Sequence, residues 1–175
     1  MALTLVLGGA RSGKSAFAQQ AAEAEAAARG GLVPLMIVTA QAFDDEMLER
    51  IARHVEDRGE RWRTLEAPMA LAETVRGLTA DDIAVVDCLT LWLTNQMLAE
   101  ADLPAEIERL LAALIDCPAR LWLVTNEVGW GLVPETPLGR RFRDEAGRLH
   151  QRIAAVADTV FLIAAGLPLR MKPQA

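Results

Sequence analysis

Leu3-Thr4-Leu5-Val6-Leu7-Gly8-Gly9-Ala10-Arg11-Ser12-Gly13-Lys14-Ser15 is the stretch on which the fold turns. Leu3–Leu7 is a short, largely apolar run of strand length, and an alanine-rich helical pattern opens at Lys14. Between them Gly8–Ser15 spells G-x-x-x-x-G-K-S, in the strand–loop–helix setting that a phosphate-binding loop requires. Gly8 and Gly13 accept backbone angles that a Cβ disfavours, so the N–H groups of Gly9, Ala10, Arg11 and Ser12 can curl around an anion. The helix beginning near Lys14 aims its positive end at the same point. Lys14 supplies a mobile charge for the outer phosphates, and the Ser15 hydroxyl can ligate Mg²⁺. With Gly near 7% of residues, a chance match anywhere in such a chain is on the order of one per cent. The loop is read as a nucleoside triphosphate site rather than a glycine turn ahead of an ordinary helix.

Outward from this loop, short Val-, Ile- and Leu-rich runs alternate with helical patterns. Candidate strands are Leu35–Thr39, Ile83–Asp87, Leu121–Thr125 and Thr159–Ile163. Candidate helices are Lys14–Ala28, Asp45–Arg58, Met69–Arg76, Leu89–Ala99, Pro104–Ile115 and Leu138–Ala157. Continuous apolar runs, rather than period-two alternation, predict strands covered on both faces. The alternation predicts an α/β doubly wound layout with a mostly parallel central sheet flanked by helices. The 175 residues carry 24 acidic and 18 basic side chains, a net charge of -6, with 52% hydrophobic residues. Those values fit one folded domain over residues 1–175 and exclude a disordered tail. The negative balance argues against sequence-blind nucleic-acid binding. No apolar run reaches the ~18 residues of a membrane span, and the first residues lack the marks of a signal peptide, so a cytoplasmic protein is expected. Cys88 and Cys117 lack paired spacing and are expected to be buried free thiols.

Asp87 ends a strand-like run and is placed to hold the Mg²⁺ shell, although many strands end in Asp as a turn. Thr90 is read as a cap for the next helix. After Leu121–Thr125 comes Asn126-Glu127-Val128-Gly129, without the Lys and Asp of a guanine-reading N-K-x-D, and Asp87-Cys88-Leu89-Thr90 is not a D-x-x-G switch. A switch GTPase is therefore disfavoured, a motor has too little chain, and a compact transferase is the better class. Of the two histidines, His54 follows Met47 and Ile51 at helical spacing among Arg50, Arg53 and Arg58. It reads either as a half-buried helix-edge residue or as a nucleophile able to form a nucleotidyl-histidine. His150 reads as a helix-surface residue.

Gly8–Ser15, Thr39-Ala40-Gln41, Asp44–Met47 with Arg50-Ile51-x-x-His54, Trp62–Glu66, Val124–Gly129 and Phe142–Arg148 together resemble one family. It is the bifunctional adenosylcobinamide kinase / adenosylcobinamide-phosphate guanylyltransferase of cobalamin biosynthesis, and the resemblance runs from about Leu3 to Lys172. It implies a P-loop NTPase (RecA-like) fold and a homotrimer. It also implies phosphorylation of adenosylcobinamide with ATP or GTP, then GMP transfer from GTP to adenosylcobinamide phosphate, with release of pyrophosphate. His54 matches the histidine that carries GMP, and Arg53 stands where some members have another histidine. Gly8–Ser15, Thr39, Ala40, Gln41, Val55, Glu56, Asp57, Arg58, Glu66 and Asp87 match stretches used to bind GTP; some relatives carry Glu at the place of Asp87. Glu66 can accept hydrogen bonds from a guanine edge or ribose, or be a surface carboxylate after an edge strand. Trp92, Trp130 and Val128–Glu135 are candidates for the corrinoid site, with Trp92 the better core residue. Apolar faces such as Leu89–Leu98 are candidates for the trimer interface. The competing expectation is a phosphate-loop kinase without guanylyl transfer.

Overall fold

Each central strand splits its side chains between two faces, and both faces are covered. The computed structural model describes residues 2–41 and 61–173. In chain order it contains β1 (Ala2–Gly8), α1 (Lys14–Ala28), β2 (Leu35–Val38), β3 (Arg63–Glu66), α2 (Leu71–Arg76) and β4 (Ile83–Asp87). These are followed by α3 (Leu89–Leu98), α4 (Leu103–Asp116), β5 (Arg120–Asn126), α5 (Pro137–Val156), β6 (Thr159–Ala164) and β7 (Leu167–Lys172). The predicted helix Asp45–Arg58 lies outside the described residues.

Leu3, Leu5, Leu7, Leu35, Ile37, Ala84, Val86, Leu121 and Leu123 point to one side, into a core shared with α2, α3, α4 and α5. Val6, Met36, Ile83, Val85 and Val124 point to the other, against Ala18, Ala22 and Ala26 of α1. Alanine at every fourth position gives α1 a flat stripe that can approach the sheet closely, with Phe17 packed edge-on to Trp122 and Phe161 beside it. This two-sided burial is why the strands read as unbroken apolar runs.

The sheet order is β3-β2-β4-β5-β1-β6-β7. Every pairing is parallel except β6 with β7, which form an antiparallel hairpin. A parallel sheet covered by helices, with a glycine loop between its first strand and first helix, is the expected α/β P-loop NTPase fold. One strand, β5, separates the phosphate-loop strand β1 from β4, so Asp87 stands two strands away from the loop's own strand.

Neither edge strand was among the candidate strands, although Glu66 was weighed as a carboxylate after one. β3 is exposed at all its residues and β7 at most of them, so neither shows an apolar run. Helix ends follow their local chemistry. Asp102 accepts a hydrogen bond from the Ala105 N–H ahead of α4, and Thr136 does the same for Gly139 ahead of α5. Gly30 and Gly31, both at positive φ, let the chain leave α1. Cys88 and Cys117 are buried free thiols, as expected.

Candidate active site

The phosphate loop is shaped by contacts that leave no room for side chains. A Cβ on Gly8 would stand 2.4 Å from the Ile163 carbonyl oxygen and 2.6 Å from Ser12 Oγ. Gly13 has φ +98°, and a Cβ there would lie 3.2 Å from Gly166 Cα. The turn of the β6–β7 hairpin backs the loop from behind, with Gly166 N–H donating to the Ser12 carbonyl at 2.9 Å. Within the loop Ser12 N–H reaches the Gly9 carbonyl at 3.3 Å, and Arg11 has φ 54°. Ser12 Oγ is buried and, among the described residues, has no hydrogen-bond partner. A buried hydroxyl without a partner is costly unless something binds there, and an anionic oxygen supplies the acceptor.

Lys14 is 6% exposed, and its Nζ donates to the Gly9 carbonyl at 2.6 Å. Burial pushes its pKa below the usual lysine value, while Asp87 and Cys88 pull it back upward. The loop, Lys14 and Asp87 are thus brought into one electrostatic neighbourhood. Ser15 follows at the start of α1 and is half-buried. Asp87 is half-buried, and among the described residues its carboxylate takes no hydrogen bond. A hydroxyl with one carboxylate is a hard-oxygen set that suits Mg²⁺, which keeps several waters and takes the rest of its shell from phosphates. Among the described residues there is no cluster of three His, Cys, Asp or Glu that would favour a different metal.

The end of β4 is fixed by Thr39. Its Oγ1 donates to the Cys88 carbonyl at 2.6 Å and accepts from the Cys88 N–H at 2.9 Å. Asn95 Nδ2 holds the Thr39 carbonyl at 2.8 Å. Thr39 is fully buried, and its side-chain hydrogen bonds set the position of Asp87–Cys88. Ala40 and Gln41 leave β2 half-buried. Val38 pairs with Glu66 on one side and Asp87 on the other, which levels the carboxyl ends of β3, β2 and β4. Glu66 is exposed on the edge strand, four strands from β1, roughly 19 Å at ordinary strand spacing. It therefore lies far from Lys14, and two strand spacings, roughly 10 Å, from Asp87. His54, Val55, Glu56, Asp57 and Arg58 lie outside the described residues.

Other expectations change. His150 is not on the helix surface: it is 6% exposed, and its Nε2 lies 2.8 Å from Thr125 Oγ1. Burial lowers its pKa, with Glu127 acting in the opposite direction. Its place was readable, because Ala146, Leu149, His150 and Ile153 form the buried stripe of α5 at helical spacing. Thr90 makes no cap bond to α3; its Oγ1 instead accepts from Asn126 Nδ2 at 3.0 Å. Trp92 belongs to the core at 1% exposure, whereas Trp130 is 75% exposed. Most of the apolar face of α3 is used by the core, and only Leu98 is open. Leu89–Leu98 therefore offers little to an interface.

The family model described as cobinamide kinase / cobinamide phosphate guanyltransferase matches residues 4–171. The chain belongs to this family. It is 50% identical over 171 residues to the bifunctional adenosylcobalamin biosynthesis protein CobP of Pseudomonas aeruginosa, covering 96% of each chain. It is 39% identical to the bifunctional adenosylcobalamin biosynthesis protein CobU of Escherichia coli, over 97% of this chain and 99% of that one. The CobU of Salmonella typhimurium is 41% identical with the same coverage. Among solved structures, the P4 protein from bacteriophage phi6 in complex with ADP aligns at 16% identity and a TM-score of 0.49, over 95% of this chain and 52% of that one. In this cobinamide kinase / guanyltransferase chain, no helix of the described residues is long and apolar enough to cross a membrane.

Proposed function

We propose that one domain catalyses two consecutive transfers onto a corrinoid. In the first, the aminopropanol hydroxyl of adenosylcobinamide attacks the γ-phosphorus of ATP or GTP and the nucleoside diphosphate leaves. In the second, a His54 imidazole nitrogen attacks the α-phosphorus of GTP, an N–P bond forms, and pyrophosphate leaves with the electrons of the broken P–O bond. The phosphate of adenosylcobinamide phosphate then displaces His54 and gives adenosylcobinamide-GDP. In-line attack at two different phosphorus atoms needs two directions of approach. The sequence puts His54 between β2 and β3, whose carboxyl ends adjoin that of β4.

Gly8, Gly9, Ala10, Arg11, Ser12 and Gly13 hold the phosphates with their backbone, and Lys14 offsets the charge that builds up on them. Ser15 and Asp87 would hold Mg²⁺, which would offset charge on the phosphates. Ala40, Gln41, Val55–Arg58 and Glu66 serve the guanylyl half of the reaction. The triphosphate donors place the work in the cytoplasm. The assembly we propose is a homotrimer, and exposed Leu167, Leu169 and Met171 of β7 are a better apolar source for its contacts than α3.

The observation that carries this reading is a buried lysine in a glycine cradle, within a chain that matches its family from end to end. The test is GTP labelled at the α-phosphate. Label retained by the denatured protein, chased into adenosylcobinamide-GDP on adding adenosylcobinamide phosphate, is the expected result, and His54→Ala should retain none. A wild-type chain that phosphorylates adenosylcobinamide but never holds label would reduce the function to a kinase.

A further inference from the structure

His150 is a buried titratable group to which the two transfers give no task. Among the described residues its buried Nδ1 has no hydrogen-bond partner, and Glu127 Oε2 stands 3.9 Å away. Burial favours the neutral ring. A neutral imidazole has one donor and one acceptor nitrogen. A proton on Nδ1 would face Glu127 and leave Nε2 to accept from the Thr125 hydroxyl, 2.8 Å away.

Glu127 is itself tied to the phosphate loop, since its backbone N–H donates to the Gly8 carbonyl at 2.9 Å. Because β5 lies between β1 and β4, Glu127 leaves the sheet between the phosphate loop and Asp87. Its Oε1 accepts the Gly129 N–H at 2.6 Å, and a Cβ on Gly129 would lie 2.9 Å from that oxygen. The carboxylate is therefore approached from two sides, by Gly129 and by His150, and remains 20% exposed. A negative charge beside a polyphosphate site weakens binding of the nucleotide, so its fixed position calls for a use in the reaction.

We infer that Glu127 takes the proton of the corrinoid hydroxyl during phosphoryl transfer, and that His150 is a positioning residue that holds the Glu127 carboxylate. The inference rests on the kinase half of the function proposed above. The hydroxyl oxygen forms its bond to the γ-phosphorus, the bond from that phosphorus to the β–γ bridging oxygen breaks, and the nucleoside diphosphate carries off the electron pair. The hydroxyl proton goes to the carboxylate and then to solvent.

The full chain tests this with three measurements: phosphoryl transfer from ATP to adenosylcobinamide, guanylyl transfer to adenosylcobinamide phosphate supplied directly, and ATP affinity. Glu127→Gln should lower kcat of phosphoryl transfer by roughly 10²–10⁴-fold. ATP affinity should hold or improve, and guanylyl transfer should be unaffected. His150→Gln should lower the same kcat by roughly ten- to hundredfold, and by nothing further in the Glu127→Gln background. If Glu127→Gln does not fold, Glu127→Ala with added formate replaces it, and partial recovery of phosphoryl transfer is expected. Wild-type kcat in Glu127→Gln, no recovery with formate, or an equal loss from His150→Gln with and without Glu127 overturns the inference alone. A wild-type chain that binds ATP yet leaves adenosylcobinamide unphosphorylated overturns the kinase reading on which it rests.

Discussion

A buried ammonium needs negative charge close by, and among the described residues Lys14 has the Gly9 carbonyl as its hydrogen-bond partner, with Asp87 and Cys88 within electrostatic reach. On the function proposed above, triphosphate oxygens complete its surroundings. Lys14→Ala should cost about 2 kcal/mol or more of nucleotide binding, at least roughly thirtyfold in affinity, measurable by calorimetry. Both transfers should fall together in that variant. Gly8 and Gly9 are adjacent but unequal. Gly8→Ala pushes a methyl against the Ile163 carbonyl and should destabilise the fold by about 1–3 kcal/mol, whereas Gly9→Ala meets nothing within 4 Å and should leave the melting temperature almost unmoved. His150 adds a pH dependence with a definite sign. Its folded pKa lies below the ordinary 6.5, so between those values the unfolded chain binds a proton that the folded chain does not. The stability it contributes is complete above pH 6.5 and is lost as pH falls through the folded pKa. Denaturant titrations across that window should show a steeper acid-side loss for the wild type than for His150→Gln, and parallel curves would count against a buried neutral ring.

Elements differ in how openly the sequence announces them. β1, β4 and β5 were legible because two-sided burial forces apolar runs, and α1 because the glycine loop fixes its start. β3 and β7 were not, since an edge strand facing solvent needs no apolar run: Arg63-Thr64-Leu65-Glu66 reads as loop until β2 pairs with it. The phosphate loop, Lys14 and Asp87 were legible from local spacing, but strand order was not, so the insertion of β5 between β1 and β4 came only with the structure. The part Thr39 plays inside the fold was not legible, because its hydrogen bonds to Cys88 join residues 49 positions apart. Its work is on the element scale, locking the end of β4 to that of β2. Thr39→Val keeps the shape and removes both bonds to Cys88; the Cys88 carbonyl still accepts from the Trp92 N–H, but the buried Cys88 N–H is left unsatisfied, so the change should cost about 1–3 kcal/mol in chemical denaturation. Thr39→Ser should recover most of that, and a neutral Thr39→Val would show that the hydroxyl does not brace the strand end.

At the scale of the molecule, the sheet distributes chemistry across its width. The glycine loop follows β1, Asp87 and the Thr39 brace stand at β4 and β2, and Glu66 marks the far edge at β3. The face carrying Trp130, Leu132 and Val133, with Leu132 96% exposed, is the most open apolar surface near the carboxyl end of β5. A corrinoid has large apolar faces of its own, so Trp130→Ala should raise KM for adenosylcobinamide while leaving ATP affinity unchanged, as steady-state kinetics would show.

The turn at Ala165-Gly166, both residues at positive φ, braces the loop that lies more than 150 residues earlier in the chain. The order of synthesis is therefore the reverse of the order of use. A ribosome delivers the complete phosphate motif among the first residues, yet the wall behind Ser12 and Gly13 arrives only once residue 166 has left the exit tunnel. A nascent chain halted short of that point would display the signature of a nucleotide-binding protein while lacking a finished place to put the nucleotide.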